Sequence, residues 1–178
     1  MEIRLAKTAG FCFGVDRAVQ LTGRLLDAGE KVATLGPLIH NPQVVAGLER
    51  RGARVAAGPA QVPPGYKVVI RSHGVPQSVY DQLAALGLAW EDATCPFVAK
   101  IHAIARRADE EGACLAVAGD AAHPEVQGIV GHTRGESFVF ANLEELKAWN
   151  GPENPKKRMF VVAQTTFQAT KWQECSEF

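Results

Sequence analysis

Residues 113–125 read ACLAVAGDAAHPE, an apolar run followed by a polar loop and a His-Pro-Glu sequence. A short, continuous apolar run of this kind is typical of a buried strand. Proline favours the first helical position because its φ is already helical and the N–H that it lacks would be unpaired there. The stretch therefore predicts a strand, a loop that carries His123, and a helix that begins near Pro124.

Four other segments have the same order of apolar residues, polar loop and helix start. They are Gly10-Phe11-Cys12-Phe13-Gly14, Ile39-His40-Asn41-Pro42, Ser72-His73-Gly74-Val75-Pro76 and Thr94-Cys95-Pro96. In an open α/β sheet, loops of this kind gather at the carboxyl ends of the strands, where ligands bind. We therefore expect the cysteines and histidines of these loops to share one cleft.

Strand-like and helix-like segments alternate along the chain. The strand candidates are 2–6, 32–35, 67–70, 113–118, 137–140 and 159–163, and apolar residues recur at helical spacing within 15–26 and 98–108. This alternation predicts parallel sheets with right-handed crossovers. We predict an α/β fold of repeated small lobes with mainly parallel sheets, the first lobe at 1–95 and the second at 96–178.

The composition limits the classes of function. With 178 residues, of which 47% are apolar, the chain is long enough to build a core. Lys+Arg and Asp+Glu both number 19, so no global basic field favours a nucleic acid or a membrane surface as partner. No apolar run approaches the ~20 residues of a membrane span, and Met1 leads straight into a strand-like segment, which leaves no room for a signal peptide. We expect a cytoplasmic protein.

Three of the histidines, His40, His73 and His123, lie in equivalent loops beside predicted helix N-termini. The free N–H groups of a helix N-terminus attract anions, and imidazole donors add to this attraction. Three such imidazoles could surround one diphosphate, although each could instead simply cap its own turn. We expect His102, within a helix, and His132, near a helix end where an imidazolium suits the dipole, to be structural.

The cysteines divide into candidate metal ligands and buried residues. Four cysteines without a Cys-x-x-Cys pair exclude a disulfide scaffold, a zinc ribbon and a thioredoxin-like motif. Cys12 and Cys95 occupy analogous loops, where thiolates near helix N-termini could ligate a soft metal or an iron–sulfur cluster. Simple burial is the alternative, and we expect it for Cys114 in its apolar strand. Cys175 has no assigned role.

Polar residues near these loops are candidates for proton transfer. Glu125 begins its helix two residues after His123 and favours the helix dipole in the simplest interpretation. If its carboxylate faces the cleft, it could relay protons. Thr165 and Thr166 follow the last predicted strand, and we expect one of them as an N-cap and the other as a hydroxyl that faces the site.

Six motifs follow one another along the chain. They are GFCFGVDRAV at 10–19, HNPQVV at 40–45, SHGV at 72–75, DATCP at 92–96, HPEV at 123–126 and QTT at 164–166. In this order they resemble the 4-hydroxy-3-methylbut-2-enyl diphosphate reductases, also called the IspH or LytB family. The resemblance implies a [4Fe-4S] cluster held by three cysteines and electrons supplied by ferredoxin or flavodoxin. It also implies reductive dehydroxylation of the substrate to isopentenyl and dimethylallyl diphosphate in the non-mevalonate pathway.

The resemblance also implies a role for each matching residue. Cys12 and Cys95 would be cluster ligands, His40, His73 and His123 would hold the diphosphate, and Glu125 and Thr165 would be catalytic, the first as a proton relay and the second at the substrate hydroxyl. Members of the family have a third lobe, which supplies a third cysteine in a motif of its own and also a Ser-x-Asn loop. Neither that third cysteine motif nor a Ser-x-Asn sequence occurs in residues 1–178. Two alternatives remain, a non-catalytic truncated diphosphate-binding fragment and a zinc- or iron-dependent hydrolase that uses the histidines and cysteines as ligands.

Overall fold

The structure, a computed structural model, describes residues 3–4 and 6–178. The strand predicted at 2–6 falls partly outside the described residues, and its residues 3, 4 and 6 adopt no regular secondary structure. Within the described ranges, no helix combines the length and the apolar character needed to cross a membrane.

Strands and helices alternate along most of the described chain. The strands are β1 Val32–Leu35, β2 Arg54–Ala56, β3 Lys67–Ile70, β4 Trp90–Asp92, β5 Cys114–Ala118, β6 Ser137–Phe140 and β7 Met159–Ala163. The helices are α1 Phe13–Asp27, α2 Pro42–Arg50, α3 Gln77–Ala85, α4 Pro96–Glu110, α5 Pro124–Val130, α6 Leu143–Ala148 and α7 Ala169–Ser176. A short 3-10 turn at Pro59–Gln61 lies between β2 and β3.

The strands pair in two sheets, and all the pairs among the described residues are parallel. The first sheet has the order β2-β1-β3-β4 and the second the order β6-β5-β7. The predicted α/β fold with parallel sheets is therefore confirmed. Helix α4 packs against α5, β5 and β7. The boundary between lobes at 95–96 stays a prediction.

The central strands β3 and β5 are buried on both faces. In β3, Val69 packs in the core with α1 and α2, whereas Val68 and Ile70 pack in the core that α3 covers. In β5, Leu115 and Val117 pack in the core with α4 and α5. Successive side chains of a strand point to opposite faces, and here helices cover both faces. This two-sided cover explains why the sequence shows uninterrupted apolar runs rather than alternation.

Strands β2 and β4 have no counterpart among the predicted strands. Each has three residues and lies at an edge of the first sheet, where most of its side chains are exposed. Their sequences, RVA and WED, have no buried apolar pattern. Backbone pairing with β1 and β3 defines them instead, and that pairing leaves no local signal in the sequence.

Two histidines with rings tilted against each other are buried where α4 meets the end of α5. His102 and His132 are 3% and 5% exposed, and their ring centroids lie 4.2 Å apart. Nη1 of Arg106 lies 3.4 Å from Nδ1 of His132, and a guanidinium can only donate, so this nitrogen is the acceptor. Burial, together with nearby positive charge, lowers the pKa of His102 to about 3 and that of His132 to about 4. The imidazolium expected at His132 is therefore wrong, because burial beside Arg106 favours the neutral ring.

Acid should destabilise the fold through these two rings. Both pKa values lie below the ordinary value of 6.5. Between these values and pH 6.5, the unfolded chain therefore binds more protons than the folded chain. The stability that depends on the neutral rings is complete above this window and is lost as the pH falls through it. We expect the urea midpoint to fall between about pH 7 and about pH 4.5.

The matched control is the double variant His102→Gln/His132→Gln, which removes both rings and keeps the charged groups Arg106 and Asp92. Its urea midpoint should fall less than that of the wild-type chain over the same pH range. A wild-type midpoint that does not change with pH would contradict this account of the two rings.

Candidate functional site

The loops after β1, β3, β4 and β5 lie at the carboxyl ends of parallel strands, as predicted. Three of them end in N-caps, Asn41 for α2, Cys95 for α4 and His123 for α5, and each cap is followed by a proline. The loop after β3 differs from the prediction. Pro76 is itself the N-cap of α3, and the helix begins one residue later, at Gln77.

His40, His73 and His123 come together from three separate loops. Their ring centroids are 4.3 Å apart for His40 and His73, 5.4 Å for His40 and His123, and 5.5 Å for His73 and His123. One ring nitrogen from each lies within 4.8 Å of the others. His40 is exposed and the other two are half-buried. The structure thus brings the three predicted histidines into one cluster that remains open to solvent.

The hydrogen bond of His123 indicates what kind of ligand this cluster suits. Nδ1 of His123 accepts the backbone N–H of Glu125 at 3.1 Å and so caps α5. A ring nitrogen that accepts an N–H carries no proton, so in the neutral ring the proton is on Nε2. Nε2 then offers a donor, which suits an anion, and not the lone pair that a metal ion needs. His123 can therefore cap α5 through Nδ1 and at the same time donate to a ligand through Nε2.

His73 and its neighbour Arg71 set the charge of the cluster. Burial lowers the pKa of His73 to about 4, helped by His40, His123 and the positive charge of Arg71. Nδ1 of His73 is buried and has no hydrogen-bond partner among the described residues. At neutral pH, His73 is therefore an uncharged ring, and Arg71 supplies a positive charge beside it. Arg71 is absent from the sequence-based candidates because an arginine after a strand carries no local signal of a site.

Arg71 is fixed by the backbone around it. Its Nε donates to the carbonyl of Gly74 at 3.4 Å. Gly36 has a φ of +70°, and a Cβ on it would lie 2.8 Å from Nη1 of Arg71. A side chain at position 36 would therefore be strained by the backbone and would also displace the guanidinium.

Ser72 joins three of the loops through its backbone and hydroxyl. Its N–H and its Oγ–H both donate to the carbonyl of Leu38, at 3.4 and 3.3 Å. Its carbonyl accepts the N–H of Cys95 at 2.9 Å. The loop with His40 and the loop with Cys95 are thereby both attached to the residue that precedes His73.

Cys12 and Cys95 are the N-caps of α1 and α4, and neither side chain makes a capping hydrogen bond. Cys12 is exposed and Cys95 is half-buried. A Cβ on Gly14 would lie 2.5 Å from Sγ of Cys95, so the first turn of α1 lies directly against that thiol. Arg17 holds this contact by donating to the carbonyls of Asp92 and Thr94 at 3.1 and 3.2 Å.

The other two cysteines lie apart from helix N-termini. Cys114 in β5 is fully buried, as expected, and Cys175 in α7 is 7% exposed. Burial raises the pKa of both thiols. Both therefore have the environment of packed side chains rather than of reactive thiols.

Glu125 and Thr165 form a hydrogen-bonded pair that connects α5 with the loop after β7, in which the carboxylate is buried and Thr165 is exposed. Glu125 is 2% exposed, and its Oε1 accepts the N–H of Thr165 at 2.6 Å. The hydroxyl of Thr165 donates to the other carboxylate oxygen at 2.8 Å. The expectation that Thr165 or Thr166 is an N-cap is wrong, because Gln168 precedes α7 and the hydroxyl of Thr166 accepts from Gln164 at 2.9 Å.

Comparison with known proteins identifies the family. The family model described as LytB protein matches residues 3–178. The chain belongs to the LytB family. A 4-hydroxy-3-methylbut-2-enyl diphosphate reductase of Oleidesulfovibrio alaskensis is 44% identical over 167 residues, which cover 93% of this chain and 59% of that relative. The enzyme of the same name from Geobacter metallireducens is 43% identical, with coverage of 93% and 57%.

Two solved structures of LytB-type reductases have the same fold. The E-1-hydroxy-2-methyl-but-2-enyl-4-diphosphate reductase of Plasmodium falciparum superposes with a TM-score of 0.88 at 26% identity, over 96% of this chain and 54% of that one. A structure of (E)-4-hydroxy-3-methyl-but-2-enyl diphosphate reductase gives a TM-score of 0.80 at 38% identity, over 97% and 61%. This LytB chain therefore spans between about half and three fifths of the length of these relatives.

Substitution of His123 should separate its capping role from its ligand role. His123→Ala removes both the cap and the imidazole, whereas His123→Asn keeps a side-chain oxygen that can accept the N–H of Glu125. We expect His123→Ala to be less stable than His123→Asn by about 1 kcal/mol, the usual contribution of an N-cap. Urea unfolding at neutral pH measures this difference, and equal stabilities would show that Nδ1 does not cap α5.

Proposed function

We propose that this chain carries the diphosphate-binding and cysteine-bearing part of a cytoplasmic 4-hydroxy-3-methylbut-2-enyl diphosphate reductase. In this reaction, a C–O bond breaks and the hydroxyl leaves as water after it gains a proton. A C–H bond forms with a second proton, and ferredoxin or flavodoxin supplies the two electrons. The LytB match over residues 3–178 and the names of the relatives support the proposal.

The histidine cluster is the observation that carries the diphosphate assignment. The hydrogen bond from Glu125 to Nδ1 of His123 leaves Nε2–H as the free donor of that ring. His40 and His73 add their rings within 5.5 Å, and Arg71 adds a positive charge. Donors and a cation around one point stabilise a phosphate group. A zinc- or iron-dependent hydrolase would instead need lone pairs directed at the metal, and the names of the relatives favour the reductase.

The two cysteines fit the [4Fe-4S] cluster that the family implies. Neither thiol is used for capping, so both are free to bind iron. Because Gly14 has no side chain, α1, whose N-cap is Cys12, packs directly against Sγ of Cys95. Such a cluster, when bound, supplies electrons and a Lewis-acidic iron for the substrate hydroxyl. Cys12 and Cys95 would hold it beside two helix N-termini, whose dipoles stabilise thiolates.

Thr165 and Glu125 are placed to handle the proton. The hydroxyl hydrogen of Thr165 is directed at Glu125, so the oxygen of Thr165 is free to accept a hydrogen bond from the substrate hydroxyl. The backbone N–H of Thr165 holds the second carboxylate oxygen. To deliver a proton, a protonated Glu125 would donate to Oγ1 of Thr165, and the hydroxyl hydrogen of Thr165 would turn to the departing hydroxyl. Because Glu125 is buried and Thr165 is exposed, Thr165 would connect the carboxyl with the substrate.

Removal of the Arg71 charge should weaken diphosphate binding. We expect Arg71→Gln to lower the affinity for inorganic diphosphate by about tenfold, the order of one interaction with a charged group. The matched control is Arg54→Gln, which removes a cation at the start of β2. Arg54 lies at the amino ends of the parallel strands, whereas Arg71 lies at their carboxyl ends. Isothermal titration at low salt measures both variants. Equal losses in the two would indicate a general effect of net charge and would contradict the assignment of Arg71.

Anaerobic reconstitution with iron and sulfide tests the reductase itself. We expect visible charge-transfer absorption that is lost in Cys12→Ser and in Cys95→Ser but kept in Cys114→Ala, which removes a buried thiol. The reconstituted chain should convert 4-hydroxy-3-methylbut-2-enyl diphosphate when a chemical reductant is added. Bound zinc without acid-labile sulfide, or a spectrum unchanged by both serine variants, would contradict the proposal.

A further inference from the structure

His102 is buried within α4 but contacts the elements that carry two of the clustered histidines. It lies about two turns after Cys95, the N-cap of α4, and is 3% exposed. One side of its ring faces Gly74, the residue directly after His73. The ring also faces Gly128 in α5, the helix that His123 caps. A single side chain therefore lies between the helix of Cys95, the loop of His73 and the helix of His123.

The contacts with the two glycines leave no room for a larger neighbour. A Cβ on Gly74 would collide with Cε1 of His102 and would lie 3.2 Å from Nε2. A Cβ on Gly128 would lie 3.3 Å from the same Nε2 and 3.6 Å from the carbonyl oxygen of His73. Gly74 also has a φ of +73°, a conformation that favours glycine. The flat imidazole thus fills the gap between the two glycine backbones.

Packing rather than hydrogen bonding holds this ring in place. Nε2 of His102 is buried and has no hydrogen-bond partner among the described residues. The tilted ring of His132 packs against it at 4.2 Å between centroids. A cavity of about 280 Å³ borders the pair and is lined by Tyr80, Asp92 and Arg106 among others. Since a buried unpaired polar atom costs about 1–3 kcal/mol, an apolar side chain would be the more stable filler. The shape of the imidazole therefore explains why a histidine occupies position 102, since an apolar residue would contribute more to stability.

We propose that His102 is a positioning residue that keeps His73 inside the histidine cluster by acting as a wedge between Gly74 and α5. The proposal deepens the diphosphate-binding function proposed above and rests on it for its consequence in catalysis. Without the ring, the loop that carries His73 would shift towards the vacated space. His73 would then leave the surroundings that it shares with His40 and His123.

The test uses His102→Ala and follows His73 directly. The pKa of His73 is about 4 because the ring is buried beside His40 and His123. In His102→Ala, we expect NMR titration of the imidazole proton signals to show this pKa rising towards the ordinary 6.5. Affinity for inorganic diphosphate should fall by about tenfold or more, since displacements of about 1 Å at a site can cost that much or more.

Ile101→Ala is the matched control, because Ile101 is adjacent on α4 and packs on the core of the second sheet. It should destabilise the chain and leave the pKa of His73 and the diphosphate affinity unchanged. If His102→Ala is too unstable, His102→Gln removes the ring with less loss of volume and should give the same direction of change.

An unchanged pKa of His73 in a folded His102 variant overturns the proposal, as does an equal change in Ile101→Ala. If the wild-type chain itself fails to bind diphosphate, the proposed function fails, while the pKa of His73 still decides whether His102 holds the cluster together.

Discussion

The arrangement of the site depends on the hydrogen bonds of one serine. Ser72 donates twice to Leu38 and accepts from Cys95, so its position ties together the ends of β1, β3 and β4. Parallel strands bring the loops at their carboxyl ends to one edge of the sheet. This pairing does not by itself fix the positions of individual residues within those loops. The bonds of Ser72 turn that rough proximity into a fixed relation between His40, His73 and Cys95. The second sheet has a comparable joint, in which the carboxylate of Glu125 fixes Thr165, two residues after β7, to the start of α5.

Much of the fold and of the site could be predicted because the signals are local. A proline after Asn41, Cys95 or His123 marks a helix start in the sequence itself, and the caps lie where those prolines indicate. The parallel α/β order then brings the loops together without any further information. Features that depend on pairing or burial could not be predicted in the same way. Strands β2 and β4 exist through their partners, and His132 is neutral only because tertiary packing buries it.

The site combines the neutral ring of His73 with the adjacent cation of Arg71. A cluster of protonated histidines would repel itself, and burial together with mutual proximity keeps His73 uncharged at neutral pH. Neutral imidazoles still offer N–H donors, and Arg71 supplies positive charge without titrating near neutrality. The proposed anion binding would depend on the orientation of donors more than on total charge. This agrees with a chain whose Lys+Arg and Asp+Glu numbers are equal at 19 each.

The unused capping positions at Cys12 and Cys95 imply a conflict between folding and function. Each residue occupies the N-cap position, yet its side chain satisfies none of the free N–H groups of its helix. Serine is among the best residues at this position and typically improves helix stability by about 1 kcal/mol over a residue that does not cap. Under the proposed cluster role of the two cysteines, serine at either position would stabilise the chain without its cluster and remove a cluster ligand. Under the same proposal, screens that select variants for thermal stability alone would enrich chains without cluster ligands, so such screens need iron and sulfide to be present.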